Sequence, residues 1–161
     1  MIVHIFYQTT VPSYLRRSGL FKKCVENALG KKATHPIEVN VIFVNEKEIL
    51  RVNKQYLNHC YVTDVISFNN ERPPFLPKGE PWGFGDIFVC YQVARKNAPL
   101  FEHTILEEMM MYVTHGALHL SGMDDHEPQD RAKMDRRAEK IICELLKKQI
   151  ALYSRNSFRK V

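Results

Sequence analysis

Residues 106–126 read LEEMMMYVTHGALHLSGMDDH, and this stretch carries most of the information about how the chain is built. Apolar side chains recur at helical spacing from Leu106 to Leu120, which predicts an amphipathic helix. Gly122 predicts the end of that helix, because glycine readily adopts the positive φ of a helix terminus. We therefore expect a central helix followed by a short polar loop.

His115 and His119 stand one helical turn apart in this predicted helix, so their Cβ atoms lie on one face, about 5–6 Å apart. Two imidazoles at that distance can share one metal ion, and zinc accepts imidazole nitrogen. Catalytic zinc sites usually use three protein ligands and a water, so a third ligand must come from nearby. The loop after the helix offers Asp124, Asp125 and His126. The sequence thus predicts a zinc site at the end of the central helix.

The same histidine spacing occurs in zinc proteases, which carry a glutamate directly after the first histidine to activate the attacking water. Gly116 occupies that position here. Without the glutamate a protease would lack its general base, unless another carboxylate such as Asp124 replaced it. A metallopeptidase is therefore less favoured than an enzyme that hydrolyses phosphodiester bonds.

The composition predicts one globular domain with an anionic partner. The chain has 161 residues, of which 45% are hydrophobic and 25% are charged. This fits a single domain spanning residues 1–161, with a frayed tail from about Ser154. The 23 lysines and arginines exceed the 18 acidic residues and give a net charge of +5, which favours binding to a polyanion such as nucleic acid.

The cysteines and the N-terminal residues predict a cytoplasmic protein. The four cysteines are widely spaced and form no Cys-x-x-Cys pair, so we expect reduced and mostly buried thiols. Residues 1–10 lack the features of a secretory signal, and no apolar run is long enough to span a membrane. We expect no association with a membrane and take a monomer as the default state.

The remaining patterns predict an α+β fold, in which helices pack with a small mixed sheet of four strands. Strands are predicted at Ile2–Thr9, Ile37–Val44, Thr63–Phe68 and Gly85–Gln92. Helices are predicted at Tyr14–Leu29, Asn45–Tyr56 and Gln129–Ile150, in addition to the central helix. Residues 69–84 contain four of the eight prolines and are predicted to form a long loop.

The motif at residues 115–124 resembles that of the YbeY-type endoribonucleases, also described as rRNA maturation factors. Their motif is His-Gly-x-Leu-His-Leu-x-Gly-x-Asp-His, and this chain matches it as far as the aspartate. Asn53 and Tyr56, the TDVISF block at 63–68 and the Gly-Asp-Ile at 85–87 are similar to further blocks of the family. The resemblance implies a single α+β domain that binds one Zn²⁺ ion and cleaves single-stranded RNA. The implied cellular role is rRNA maturation and ribosome quality control, with an rRNA precursor or the small ribosomal subunit as partner.

The chain departs from the family pattern at the third metal ligand. In an ungapped comparison the family's third histidine falls on Asp125, and a histidine follows one place later at His126. Ungapped spacing favours Asp125, whereas the family's use of imidazole favours His126. Both side chains are acceptable zinc ligands, so both alternatives stay open.

A second departure concerns the substrate. The family usually has an arginine directly after the tyrosine of Asn-x-x-Tyr, and this chain has Leu57 there. If that arginine grips a phosphate, then another basic residue must replace it, or turnover will be weak. The candidates for substrate binding are Lys54, His59, Thr63, Asp64 and Ser67.

The expected chemistry depends on a bound zinc ion, which would polarise the scissile phosphate and lower the pKa of a water. His115, as a zinc ligand, and Asp124, as a residue that orients a ligand, are the catalytic candidates. The alternative is a zinc-stabilised ribosome-assembly factor that binds RNA and cleaves it weakly or not at all. The missing cation at Leu57 favours this alternative.

Overall fold

The computed structural model describes residues 1–30 and 36–157, and within them the chain forms four strands and five α-helices. The strands are β1 (Ile2–Tyr7), β2 (Ile37–Val44), β3 (Val65–Asn69) and β4 (Trp82–Cys90). The α-helices are α1 (Ser18–Leu29), α2 (Glu46–Leu57), α3 (Tyr91–Asn97), α4 (Ile105–Leu120) and α5 (Pro128–Ser157). Short 3-10 helices at Ser13–Leu15 and Ala98–Phe101 precede α1 and α4.

The strands form one mixed sheet in the order β1-β2-β4-β3. The first three run parallel, and β3 pairs with β4 in the antiparallel direction. Because side chains alternate along a strand, β2 contributes to two cores. Val39, Val41 and Phe43 pack with α1, α4 and α5 on one face, whereas Ile42 and Val44 pack with α2 on the other. The predicted α+β fold with a four-stranded mixed sheet is thus confirmed.

Helix α4 is the central helix that the sequence predicts. It begins with a capping box, in which the Thr104 hydroxyl accepts a hydrogen bond from the Glu107 amide and the Glu107 carboxylate accepts one from the Thr104 amide. Met109 and Met110 are fully buried, as expected for side chains that fill a core. The helix ends at Leu120, and Gly122 follows with a φ of +89°.

Two glycines allow α4 to lie close to the sheet. A Cβ atom on Gly116 would lie 2.6 Å from Ile87 Cγ2 in β4. A Cβ atom on Gly85 would lie 2.6 Å from the Phe68 carbonyl oxygen and 2.8 Å from Leu120 Cδ2. All three distances are too short for a real Cβ atom, so the helix and the sheet can approach this closely only with glycine at both positions.

The last turn of α4 is also tied to the edge strand. Asn69, at the end of β3, donates a side-chain hydrogen bond to the Leu120 carbonyl oxygen at 3.0 Å. Carbonyls in the last turn of a helix have no partner within the helix, so this bond satisfies one of them. It also fixes the end of α4 relative to the sheet.

Several predicted boundaries are wrong. The predicted helix Tyr14–Leu29 is interrupted before Ser18, because the buried Leu15 lies in the separate 3-10 helix. Strand β4 starts at Trp82, inside the predicted loop 69–84, because pairing with β2 extends it. The same strand ends at Cys90, and the next two residues begin α3, which the sequence reasoning missed. Its seven residues are too few for a clear periodic pattern.

Helix α5 and the cysteines also differ from expectation. The helix extends to Ser157, past the start of the tail predicted from about Ser154, and residues 158–161 lie outside the described part of the chain. All four cysteines are free, but only Cys24 and Cys90 are buried, so the prediction of mostly buried thiols fails for Cys60 and Cys143. Burial raises the pKa of the Cys24 thiol to about 11. Among the described residues, no helix is both long and apolar enough to cross a membrane.

We predict that Gly116→Ala destabilises the protein by about 1–2 kcal/mol. The new methyl group would meet the buried Ile87 side chain, and this overpacking outweighs the gain of up to ~1 kcal/mol in helix propensity. Urea unfolding followed by circular dichroism measures the change. Gly19→Ala is the control, because a Cβ there meets nothing within 4 Å. We expect the control to be neutral or slightly stabilising, and an equally stable Gly116→Ala would contradict the close packing.

Candidate metal centre

His115 and His119 lie on one side of the last two turns of α4, as their spacing predicts. Their ring centroids are 5.4 Å apart. The neighbouring residues Gly116 and Leu118 face the core. The two imidazoles therefore lie on a side of the helix that the sheet does not cover. Their side chains are 19% and 31% exposed, which leaves them accessible to a ligand while still restrained by packing.

Asp125 brings a carboxylate to both histidines. Its Oδ2 atom lies 3.6 Å from His115 Nε2 and 3.8 Å from His119 Nε2. The three ligand atoms all lie within 4.8 Å of one another, close enough to hold one metal ion. Two imidazole nitrogens and one carboxylate oxygen are a ligand set that zinc accepts, with a fourth position left open.

The other ring nitrogen of each histidine faces a group that can orient it. His119 Nδ1 lies 3.2 Å from the Met123 carbonyl oxygen, and because a carbonyl only accepts, Nδ1 must donate in this bond. His119 Nε2 then carries the lone pair that a metal needs. His115 Nδ1 lies 3.8 Å from Asp135 Oδ1 in α5. Outer carboxylates and carbonyls of this kind commonly orient histidine ligands.

Asp135 is a site residue that the sequence reasoning missed. It lies in α5, ten residues beyond Asp125, and no ligand spacing connects it with either histidine. Only the packing of α5 against α4 brings it near His115. The sequence contains only a weak signal for this role, because Asp135 is simply an acidic residue on the half-buried side of a predicted amphipathic helix.

Asp124 and His126 lie apart from the paired histidines. The Asp124 Oδ1 atom accepts hydrogen bonds from the amides of Asp125 at 2.7 Å and His126 at 3.3 Å, so this carboxylate caps the loop. The His126 side chain is 87% exposed, and its Nε2 atom lies 3.5 Å from Asp124 Oδ1. His126 forms a second group of potential ligands with Asp124 and Asp125, and Asp125 is the member common to both groups.

Three of the predicted substrate residues, Thr63, Asp64 and Ser67, lie directly before β3 or within it. Asp64 accepts hydrogen bonds from the Thr63 hydroxyl at 2.9 Å and from the Val65 amide at 2.8 Å, so both side chains support the turn into the strand. Ser67 lies two residues after Val65, which a Cβ on Gly116 would approach to 3.1 Å. By strand alternation Ser67 therefore shares the face of β3 that α4 covers.

Lys54 lies in the last turn of α2, and His59 lies in the loop after this helix. Helix α2 packs on the face of the sheet opposite to the one that α4 covers. His59 is exposed and stacks on Tyr61, with ring centroids 5.3 Å apart. Leu57, where the family pattern predicts a cation, is exposed. The buried Asn53 side chain donates to the Tyr61 carbonyl oxygen at 2.9 Å and so holds this loop against α2.

Comparisons with known proteins identify the family of this chain. A family model described as Endoribonuclease YbeY matches residues 8–146. A protein named Endoribonuclease YbeY from Elusimicrobium minutum is 53% identical over 146 residues, which cover 90% of this chain and 100% of that protein. A second protein of that name, from Macrococcus caseolyticus, is 40% identical over 107 residues, covering 65% of this chain and 70% of its own length.

A solved structure supports the same relationship. The solution structure of a Thermotoga maritima protein is similar to this chain with a TM-score of 0.61 and 27% sequence identity, and the similarity covers 93% of both chains. The family model and the sequence relatives span most of the chain, including α4 and the loop that carries Asp125. The chain therefore belongs to the Endoribonuclease YbeY family.

Proposed function

We propose that this chain is a zinc-dependent endoribonuclease that cleaves single-stranded RNA in the cytoplasm during rRNA maturation and ribosome quality control. The observation that carries the proposal is the convergence of His115 Nε2, His119 Nε2 and Asp125 Oδ2 at the end of α4, in a member of this family. The excess of basic residues suits a polyanionic substrate. The substrate is an rRNA precursor or RNA of the small ribosomal subunit.

The chemistry of the donor set supports zinc as the metal. The His119 tautomer that the Met123 carbonyl selects leaves a lone pair on Nε2, and Asp125 adds one negative charge. Mixed imidazole and carboxylate ligands with an open position are typical of hydrolytic zinc sites. When bound there, zinc would polarise a phosphate oxygen and lower the pKa of a water molecule.

The residues of the chain have distinct tasks in this proposal. His115, His119 and Asp125 hold the metal. Asp124 is a positioning residue, because its carboxylate holds the amide of Asp125 and thereby the loop that presents the third ligand. Asp135, whose Oδ1 atom lies 3.8 Å from His115 Nδ1, is placed to orient that imidazole when a metal binds. Ser67, on the α4 side of β3, is a candidate for contact with the RNA near the metal.

The packing at Gly116 supports RNA hydrolysis over peptide hydrolysis. In zinc proteases of the His-Glu-x-x-His type, the residue after the first histidine is the glutamate that serves as general base. Here that position lies against Ile87, with no space for even a Cβ atom. A glutamate could not occupy it unless α4 moved away from the sheet.

The exposed Leu57 favours a second candidate function. A chain without the family's cation at this position could bind RNA as a zinc-stabilised ribosome-assembly factor and cleave it slowly or not at all. The two functions share the metal centre and the RNA, and they differ in turnover. Metal binding and cleavage are therefore tested separately.

We predict that the purified protein binds about one zinc ion per chain and that His119→Ala and Asp125→Ala each weaken zinc affinity by at least about 100-fold, because each removes a ligand. Elemental analysis and competition with a zinc-binding dye measure this, and circular dichroism verifies the fold. His126→Ala is the matched control and should keep its zinc. Loss of zinc from His126→Ala, with retention in Asp125→Ala, would assign the third ligand to His126 instead.

We predict that the zinc-loaded protein cleaves single-stranded RNA and leaves a duplex of the same sequence intact. A chelator and His115→Ala should each lower cleavage by at least about 100-fold, because the metal stabilises the charge of the transition state. Gel electrophoresis of end-labelled RNA measures the rate, and casein is the control for peptidase activity. Cleavage that persists in His115→Ala would overturn the nuclease proposal, whereas RNA binding without metal-dependent cleavage would establish the assembly-factor alternative.

A further inference from the structure

A cavity lies away from the metal centre, between α1 and the C-terminal part of α5. We call it the α1–α5 pocket, and its volume is about 890 Å³. This is within the range of pockets that bind ligands, about 300–1,000 Å³. Neither the metal-centre residues nor the predicted substrate residues line it.

The lining of the α1–α5 pocket is strongly cationic. Among the described residues that line it, four carry positive charge, namely Arg16, Arg17, Lys23 and Lys148, and none is acidic. Like charges gathered around one cavity repel each other, and an anion between them relieves this repulsion. The lining therefore selects for an anionic ligand.

Arg16 is already held in place at the pocket. Its Nε atom donates a hydrogen bond to the Val11 carbonyl oxygen at 2.9 Å, and its guanidinium lies 5.2 Å from the centroid of the Tyr7 ring. These contacts restrict the side chain and use one of its five N–H donors. Less conformational entropy is then lost when the guanidinium binds a phosphate.

The rest of the lining favours a phosphate backbone over a base. Leu20 and Leu145 are buried side chains of the pocket, and none of the described residues that line it is aromatic. Proteins that hold single-stranded bases do so mainly by stacking them on aromatic rings, and the described part of this lining has no such ring. Contacts from lysine and arginine to phosphates position a strand without reading its sequence.

The pocket lies some distance from the cleavage centre. Arg137 in α5 donates to the Ala28 carbonyl oxygen at the end of α1, and Leu145 further along α5 lines the pocket together with Leu20 near the start of α1, so the two helices run in opposite directions. Asp135 marks the metal-centre end of α5, and Leu145 in the pocket lies ten residues further along. At ~1.5 Å per helical residue this separation is about 15 Å, or roughly four nucleotides at ~3.4 Å per stacked nucleotide.

We infer that the α1–α5 pocket binds backbone phosphates of the RNA strand at least several nucleotides away from the scissile bond. The choice of RNA as the anion rests on the proposed function, whereas the preference for phosphate rests on the lining itself. Contacts of this kind raise the affinity for long strands and leave the chemical step at the metal centre unchanged. They also offer a source of cationic contacts in a chain that has Leu57 in place of the family's arginine.

The test compares two double variants with the same change in charge. Lys23→Glu with Lys148→Glu reverses two charges in the pocket, and Lys22→Glu with Lys147→Glu reverses two exposed charges beside it on the same helices. Both are made in a His115→Ala background, so that the RNA stays intact whether or not the wild type cleaves it. Fluorescence anisotropy with labelled RNA of about 20 nucleotides measures Kd over a range of salt concentrations.

We expect the pocket variant to bind the long RNA about tenfold more weakly, and the control variant to stay within about threefold of the parent. The dependence of log affinity on log salt should become shallower by about 1.4 in the pocket variant, because each lost phosphate contact accounts for ~0.7.

Equal weakening by the two double variants would overturn the inference, because affinity would then follow net charge and not the pocket. Isothermal titration calorimetry measures the binding of pyrophosphate to the same variants. Loss of pyrophosphate binding in the pocket variant, with unchanged RNA binding, would overturn the assignment to RNA and make the ligand a free phosphate compound. These results do not depend on catalysis. A wild-type chain that fails to cleave RNA would refute the proposed function while the pocket inference could still be confirmed.

Discussion

Helix α4 packs against the sheet so closely that two positions between them have room only for glycine. Gly116 in the helix and Gly85 in β4 remove the side chains that would otherwise separate the two layers. The hydrogen bond from Asn69 to the Leu120 carbonyl oxygen then fixes the end of the helix at the edge of the sheet. Because α4 is fixed in this position, His115 and His119 lie on the side of the helix that the sheet does not cover. The loop that carries Asp125 begins directly after this helix end.

The candidate metal centre is built from that fixed helix end by contacts of its immediate surroundings. The same loop that follows α4 supplies the Asp125 carboxylate and the Met123 carbonyl oxygen, which lie on opposite sides of His119. Helix α5 supplies Asp135 beside His115. Each imidazole is thus flanked by one group on its metal-facing nitrogen and one on its other nitrogen. Such support reduces the reorganisation needed when a metal binds.

Charge is distributed along the molecule in a way that suits a long polyanion. The three ligand residues offer a site for a cation at one end of α4, whereas the α1–α5 pocket presents four cationic side chains about 15 Å further along α5. An RNA strand that contacts both sites would gain affinity at the α1–α5 pocket and be hydrolysed at the metal centre. Separation of binding from chemistry allows affinity to increase without stabilising the ground state at the scissile bond.

The α+β class, the existence of α4 and the pairing of His115 with His119 could be predicted from the residues alone, because all three depend on local periodicity and on a helix-ending glycine. The sequence could not assign the third ligand, since Asp125 and His126 are neighbours with similar chemistry. Only the tertiary structure places Asp125 against both histidines, turns His126 towards solvent and brings Asp135 and the α1–α5 pocket together. These features depend on the path of the loop after α4 and on the packing of α5 against α1 and α4. Contacts between segments distant in sequence produce no periodic pattern from which they could be predicted.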